Sequence, residues 1–163
     1  MRMLATVFVF AMAAAPALAD EILTAQGLGP VRIGMSRAQV EKALGSRIKL
    51  DMDDPACTTA GAPGGKASLM FFHDRLVRID ADAVGVRTPE GAYVGITETA
   101  LKKLYGKRAR TSTHPYGAEP NDHYVAVKLP PRDRLLIFET RSRRVENFRI
   151  GTRQAAQLSE GCN

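Results

Sequence analysis

The chain has 163 residues, with 23 Lys and Arg against 17 Asp and Glu, two cysteines and no tryptophan. That composition excludes a disordered or collagen-like chain, and the length suits one domain or two very small ones. The charge is uneven: residues 20–100 hold 9 basic and 11 acidic side chains, residues 101–153 hold 13 basic and 5 acidic. A basic second half points to acidic partners, whether lipid head groups, polyanionic glycans or an acidic protein surface.

In chain order, the first feature is an export signal. Arg2 gives a positive start, Leu4 to Ala15 is an uncharged apolar run, Pro16 breaks it, and Ala17-Leu18-Ala19 supplies a small-x-small cleavage pattern. Residues 1–19 therefore read as a Sec-type signal peptide cleaved after Ala19, which makes the protein periplasmic or secreted. The apolar run is shorter than the roughly 20 residues a spanning helix needs, and no later segment reads as a membrane span. Export also argues against nucleic acid as a partner.

Residues 34–45, Gly-Met-Ser-Arg-Ala-Gln-Val-Glu-Lys-Ala-Leu-Gly, predict a short helix. Ser36 is a good N-cap and forms a capping box with Gln39. Val40, Ala43 and Leu44 make an apolar stripe, and Gly45 suits a left-handed end. Asp51 to Lys66 then reads as a loop rich in Asp, Pro, Gly, Ala and Thr. Ser68 to Phe72 reads as a strand, His73-Asp74-Arg75 as a turn, and Leu76 to Val84 as an alternating strand. Its alternation places Arg78, Asp80 and Asp82 on an exposed face. Residues 85–93, with Pro89, read as a linker.

The helical element recurs 61 residues later. Residues 95–106 repeat the pattern with Thr97 as N-cap, Leu101, Leu104 and Tyr105 as the stripe, and Gly106 at the end. A second loop, Thr111 to Asp122, is followed by strands at Tyr124 to Leu129, Arg134 to Thr140 and Val145 to Ile150. Arg141-Ser142-Arg143 reads as a turn. Leu69–Phe72 matches Leu136–Glu139, and Leu76–Ile79 matches Val145–Phe148, with small insertions. The fold class is α+β: two tandem units, each a short helix followed by antiparallel strands. The first unit spans 20–84, and the second, basic one 94–163.

Cys57 and Cys162 are an even pair in an oxidising compartment and predict one disulfide within the chain, with a bridge between two chains as the alternative.

The Gly-Met-Ser-x-x-x-Val-x-x-x-Leu-Gly element at 34–45 resembles the motif that opens the small outer-membrane-assembly lipoprotein domain. It is also similar to the repeat unit of the β-lactamase-inhibitor-protein-like fold. The resemblance implies a helix ahead of antiparallel strands, two such units in tandem, and a partner-binding role. In the second copy Ile96 replaces Met and Tyr105 replaces Leu. The motif is structural, so it transfers no functional residue.

Candidate site residues fall in the second unit. His114, Tyr116, His123 and Tyr124 cluster around the second loop, where tyrosines offer contact area to a partner. Two histidines with Glu119 or Asp122 could ligate zinc, but a structural site takes four well-spaced ligands, and the expectation is no metal. Asp51, Asp53 and Asp54 lack the rest of a calcium loop. Ser46-Arg47-Ile48-Lys49 matches Ser-x-x-Lys only formally, because it follows a helix-ending glycine. No nucleophile elbow, phosphate loop or dinucleotide fingerprint is present, so neither a catalytic residue nor a cofactor is expected. Arg141, Arg143 and Arg144 crowd one turn, where they can bind carboxylate or sulfate-like groups or simply blunt a sheet edge. The reading is an exported non-enzymatic binding protein, inhibitor-like or envelope-associated. Its partner would be an envelope or extracellular protein, or an anionic envelope component. The alternatives are a small periplasmic hydrolase using the His114/His123 region and an envelope-assembly accessory protein.

Overall fold

The computed structural model describes residues 21–52, 54–114, 116 and 120–162; the expected signal peptide lies outside them. Three short strands open the chain: β1 (Glu21–Thr24), β2 (Gly27–Leu28) and β3 (Val31–Arg32). Helix α1 (Arg37–Leu44) and strands β4 (Cys57–Gly61), β5 (Ser68–Phe72), β6 (Arg75–Ala81) and β7 (Val86–Arg87) follow. Helix α2 (Glu98–Tyr105) runs into a 3-10 turn at Gly106–Arg108. Strands β8 (Ala109–Thr113), β9 (His123–Leu129), β10 (Arg134–Arg141) and β11 (Arg144–Thr152) and helix α3 (Arg153–Gln157) complete it. Seven strands form one antiparallel sheet in the order β4-β5-β6-β11-β10-β9-β8, and β3-β2-β1-β7 form a small second sheet. The α+β class is borne out, with strands dominant.

The two units share a set of equivalent hydrogen bonds. Ser36 Oγ accepts from the Gln39 amide while Gln39 Oε1 accepts from the Ser36 amide, the expected capping box; Thr97 Oγ1 accepts from the Ala100 amide. The Gly34 amide donates to the Leu76 carbonyl and the Leu76 amide to Met35. In the second unit Gly95 donates to Val145, and Val145 to Ile96. Both hairpins turn on two left-handed residues, His73 and Asp74 (φ 45° and 58°) in one, Ser142 and Arg143 (48° and 63°) in the other. Such turns match the right-handed twist of the strands they join. Each hairpin also carries a bulge, between Met70 and Phe71 and between Glu139 and Thr140. Turns and bulges coincide only if the hairpins align without insertion, so Leu69–Phe72 corresponds to Phe138–Arg141. The sequence match to Leu136–Glu139 is two residues off, an error that preserves which residues face inward and so leaves no trace in the hydrophobic pattern.

The last strands of the two units, β6 and β11, pair at the middle of the sheet. One sheet face packs against α1, α2 and the small sheet. Leu69, Phe71, Leu76, Ile79, Val125, Val127, Leu136, Phe138, Phe148 and Ile150 meet Val40, Leu101 and Tyr105 from the helices and Leu23, Leu28, Val31 and Val86 from the small sheet. Leu104, expected on the α2 stripe, is instead exposed. The opposite, outer face is crossed by the C-terminal segment. Ala156 packs on Leu135 and Ile137, and Cys162 bonds to Cys57 on β4, 105 residues away.

That crossing overturns one sequence expectation. Arg78 is only 5% exposed, and its Nη1 donates to the carbonyls of Ala155, Leu158 and Glu160 at 3.0–3.2 Å. Asp80 accepts from Arg78 Nε at 2.8 Å. Only Asp82 is exposed. The covering segment lies some eighty residues downstream, beyond the reach of a periodicity argument. Strands also arise where loops were expected: β4 lies within 51–66, β8 overlaps the start of the 111–122 segment, and β7 lies in the 85–93 linker. β4 and β8 are Thr-, Ser- and Gly-containing and lack an apolar alternation, and each gains its conformation by pairing with the strand beside it.

Candidate functional site

The expected site residues separate onto two faces. Thr113 pairs with His123, and side chains alternate along a strand, so His114 and His123 point to opposite sides of the sheet. No three His, Cys, Asp or Glu side chains converge among the described residues.

His123 faces inward, beside α2. Its Nδ1 donates to Glu98 Oε2 at 2.8 Å, and the Thr140 hydroxyl lies 3.2 Å from both the same oxygen and the His123 carbonyl, between which its one proton is shared. Lys102, one turn along the helix, bonds Glu98 Oε1 at 2.5 Å. Glu98 is 6% exposed and opens α2, where a carboxylate also favours the helix dipole. Burial alone would raise its pKa, but the hydrogen bonds from Lys102 and His123 outweigh burial and hold it below the ordinary value. Sequence reasoning missed Glu98, whose only signal was its place just after the N-cap.

By the repeat, Glu98, His123 and Thr140 stand where Arg37, Thr58 and Phe71 stand in the first unit. There the space is not filled by a polar cluster. A cleft of roughly 460 Å³ opens among Arg37, Leu50, Thr58, Phe71, His73 and Asp74.

His114 and Tyr124 meet on the outer face with ring centroids 4.5 Å apart. The Tyr116 amide donates to His114 Nδ1 at 3.1 Å, which leaves the ring proton on Nε2, 3.6 Å from Glu139. The Tyr116 side chain itself is 70% exposed and stands apart from the cluster. Glu139 bonds Arg149 Nη1 and accepts from Asn147 Nδ2 at 3.0 Å. Arg149, 2% exposed, lies with its guanidinium 5.2 Å from the Tyr124 ring centroid and donates Nε to the Ala156 carbonyl at 2.7 Å. Burial would raise the Glu139 pKa, but hydrogen bonds from Arg149 and Asn147 hold it low; burial pushes the Tyr124 phenol up. The cluster fixes α3 to the sheet.

The arginines of the second hairpin turn are exposed and braced. Arg141 Nε bonds Glu146 at 3.0 Å, Arg143 Nε bonds Asn121 Oδ1 at 3.0 Å, and Arg144 Nη1 bonds the Gly95 carbonyl at 3.0 Å. Asp122 is buried and accepts from the Ser142 amide at 3.1 Å, tying the preceding loop to the turn. At the other end of these strands, Lys107, Arg108, Arg110 and Lys128 surround a groove of about 270 Å³ floored by Ala126 and Leu135. Arg108 bonds Glu90 at 3.1 Å, whereas Lys107, Arg110 and Lys128 have no ion-pair partner among the described residues. The skewed charge of residues 101–153 signalled this groove, but only the pairing of β8, β9 and β10 gathers its residues.

No protein-family model and no curated protein sequence matches the chain. Solved structures do. The chain is similar to the uncharacterized protein YfeY of Escherichia coli, with a TM-score of 0.52 and 13% identity over 80% of this chain and 99% of that one. It is also similar to an extracellular protein containing an SCP domain from Bacillus anthracis, with a TM-score of 0.50 and 10% identity over 80% of this chain and 50% of that one. The chain spans about half the length of that second protein. At such identities the likeness is one of fold. The disulfide fits an oxidising compartment, and no described helix is long and apolar enough to cross a membrane.

Proposed function

We infer that this is an exported, non-enzymatic binding protein that holds an anionic partner through its basic second unit. The observation that carries this reading is the groove at Lys107, Arg110 and Lys128, three cations without a carboxylate partner among the described residues. Arg110 Nη1 donates to the Lys107 and Ala109 carbonyls, which leaves the positive charges of all three without an internal carboxylate and able to pair with carboxylate or sulfate-like groups. The turn formed by Arg141, Arg143 and Arg144 adds a second cationic end about seven residues, roughly 23 Å, along β10. Arg143 also occupies a left-handed position where Gly or Asn is favoured, so its side chain is held there at a backbone cost. The His123–Glu98 pair supports catalysis less well. The hydroxyl beside it, Thr140, is buried and shares its proton between Glu98 and the His123 carbonyl rather than donating to the imidazole.

The tandem helix-then-strands arrangement supports kinship with the inhibitor-protein and assembly-lipoprotein folds, and with it a protein as the partner. Fold alone does not fix function, so inhibition is one form of this reading and envelope assembly another. The signal peptide and the likeness to an extracellular protein's fold support a periplasmic or secreted location.

The test is capture from envelope extract at physiological salt under non-reducing conditions, with the tagged protein as bait. Two variants serve as controls, Arg141→Glu/Arg143→Glu/Arg144→Glu and Lys107→Glu/Arg110→Glu/Lys128→Glu. One stoichiometric protein, lost with either variant and released by salt, supports the reading and names the partner. Equal capture by all three baits would sink it.

A further inference from the structure

Among the described residues, the seven-stranded sheet has one covered edge and one open edge. At the β4 edge Leu50 bridges Ala60, and the Asp51 amide donates to the Thr59 carbonyl at 2.9 Å. Thr59 Oγ1 donates to the Asp51 carboxylate at 2.6 Å, and the disulfide anchors the first residue of the strand. At the other edge, β8 has no strand beyond it among the described residues.

The register tells which β8 groups are free. The His114 amide donates to the Asp122 carbonyl at 3.0 Å, and the same register continues through Ser112↔Tyr124 and Arg110↔Ala126. Hydrogen-bonded pairs alternate with non-bonded ones in an antiparallel ladder. Ser112 and Arg110 therefore bond β9, while Ala109, Thr111 and Thr113 turn their N–H and C=O outward. Ala109 is already engaged, donating to the Gly106 carbonyl and accepting from Arg110 Nη1 at 3.2 Å. Thr111 and Thr113, both exposed, remain with two donors and two acceptors. The strand, Ala-Arg-Thr-Ser-Thr, has neither the proline nor the bulge that commonly blunts an edge.

Charge selects the occupant. Arg110 lies on the outer face of β8, Lys128 on the same face of β9, and Lys107 just ahead of the strand, all lining the groove described above. Resting on the anionic-partner reading, we propose that the β8 edge takes up an extended acidic segment of the partner protein as an eighth strand. Its main chain bonds Thr111 and Thr113, and its outward carboxylates face Arg110, Lys107 and Lys128. A second copy of this chain is the weaker occupant, because two β8 edges would bring their own Lys107 and Arg110 together. Lipid head groups or glycans would use the cations and leave the edge amides untouched.

The experiment uses protein purified from the periplasm of cells expressing the full chain. The probes are a blocked heptapeptide alternating Thr and Glu, its Gln analogue, and tripolyphosphate. The expected result is that the Glu peptide slows amide exchange at Thr111 and Thr113 by about tenfold or more. The Gln analogue, and Arg110→Glu against the Glu peptide, should bind about tenfold more weakly. Thr111→Pro should lose the exchange protection and most of the affinity with its circular dichroism intact, since an outward-facing N–H position of an edge strand accepts proline. Peptide binding without slowed exchange at these two amides, or undiminished in Thr111→Pro, overturns the edge proposal. Should tripolyphosphate bind as well as the peptide, with the edge unprotected, the anionic-partner reading stands and edge docking falls. Binding by none of the probes at low salt sinks both. A dimer that Thr111→Pro dissolves would put a second copy on the edge and overturn the acidic segment.

Discussion

Glu98 gathers three donors, from Lys102, His123 and Thr140, onto one buried carboxylate. Replacing it with Gln should cost about 2 kcal/mol near neutral pH, read from urea unfolding, because charge-assisted hydrogen bonds are lost in a buried setting. Its folded pKa lies below the ordinary 4.5, so its contribution is complete above that value and is lost as pH falls from there through the lower folded pKa. Glu139, held low by Arg149 and Asn147 against its burial, acts in the same direction. Asp80 acts in the opposite one, since burial outweighs Arg78 and raises its pKa. Wild-type stability should therefore drop below about pH 4.5, and a Glu98→Gln/Glu139→Gln variant should show a flatter profile. A second expectation concerns Arg149. Arg149→Met should cost about 3 kcal/mol by stranding the Glu139 charge, and adding Glu139→Gln should recover part of it in a double-mutant cycle. The sequence pointed to His114 and Tyr124 but not to Glu139, Asn147 and Arg149, which complete the cluster. His114 and His123 are near neighbours in the chain, yet their faces depend on a hairpin register that composition does not encode.

At the scale of elements, the caps and hairpins were the legible part. Ser36, Gln39 and Thr97 act on amides within three residues of themselves, so their roles follow from local chemistry. The second hairpin turn is less well served by its residues. Ser142 and Arg143 both hold positive φ, where L side chains other than Asn and Asp are disfavoured. Ser142→Asn/Arg143→Gly should stabilise the fold by about 1 kcal/mol in thermal or urea unfolding. The same variant should bind an anionic partner more weakly, because it removes one turn arginine. Gly151 shows the reverse situation. A Cβ there would meet the Val77 carbonyl oxygen at 2.6 Å, so the β6–β11 pairing requires glycine at that point. Strands β4 and β8 were not legible, since at the sheet edges pairing outweighs intrinsic preference.

The whole molecule is held across its sequence rather than along it. β6 and β11 join the units through one ladder, and the C-terminal segment crosses both before bonding to Cys57. Two consequences are measurable. Cys57→Ser/Cys162→Ser should lose about 5 kcal/mol, the chain-entropy value for a loop of this length, and should speed amide exchange along residues 155–161 most. The units should also unfold together. Near- and far-ultraviolet circular dichroism should report one coincident transition, and separately expressed 20–84 and 94–163 should each lack dispersed amide spectra. Two separated transitions would show instead that each unit keeps its own core.

The amino-acid sequence by itself determined the repeat, the helix caps, the hairpin positions and the α+β class, each of which rests on local chemistry; that the two cysteines bond within one chain was decided by the tertiary structure. Tertiary structure decided the faces of His114 and His123, the burial of Arg78 and its pairing with the half-buried Asp80, the Glu98 cluster, and which sheet edge stays open among the described residues. Those features depend on strand register and on contacts between residues many tens of positions apart, and a shift of two residues in register leaves the hydrophobic pattern unchanged.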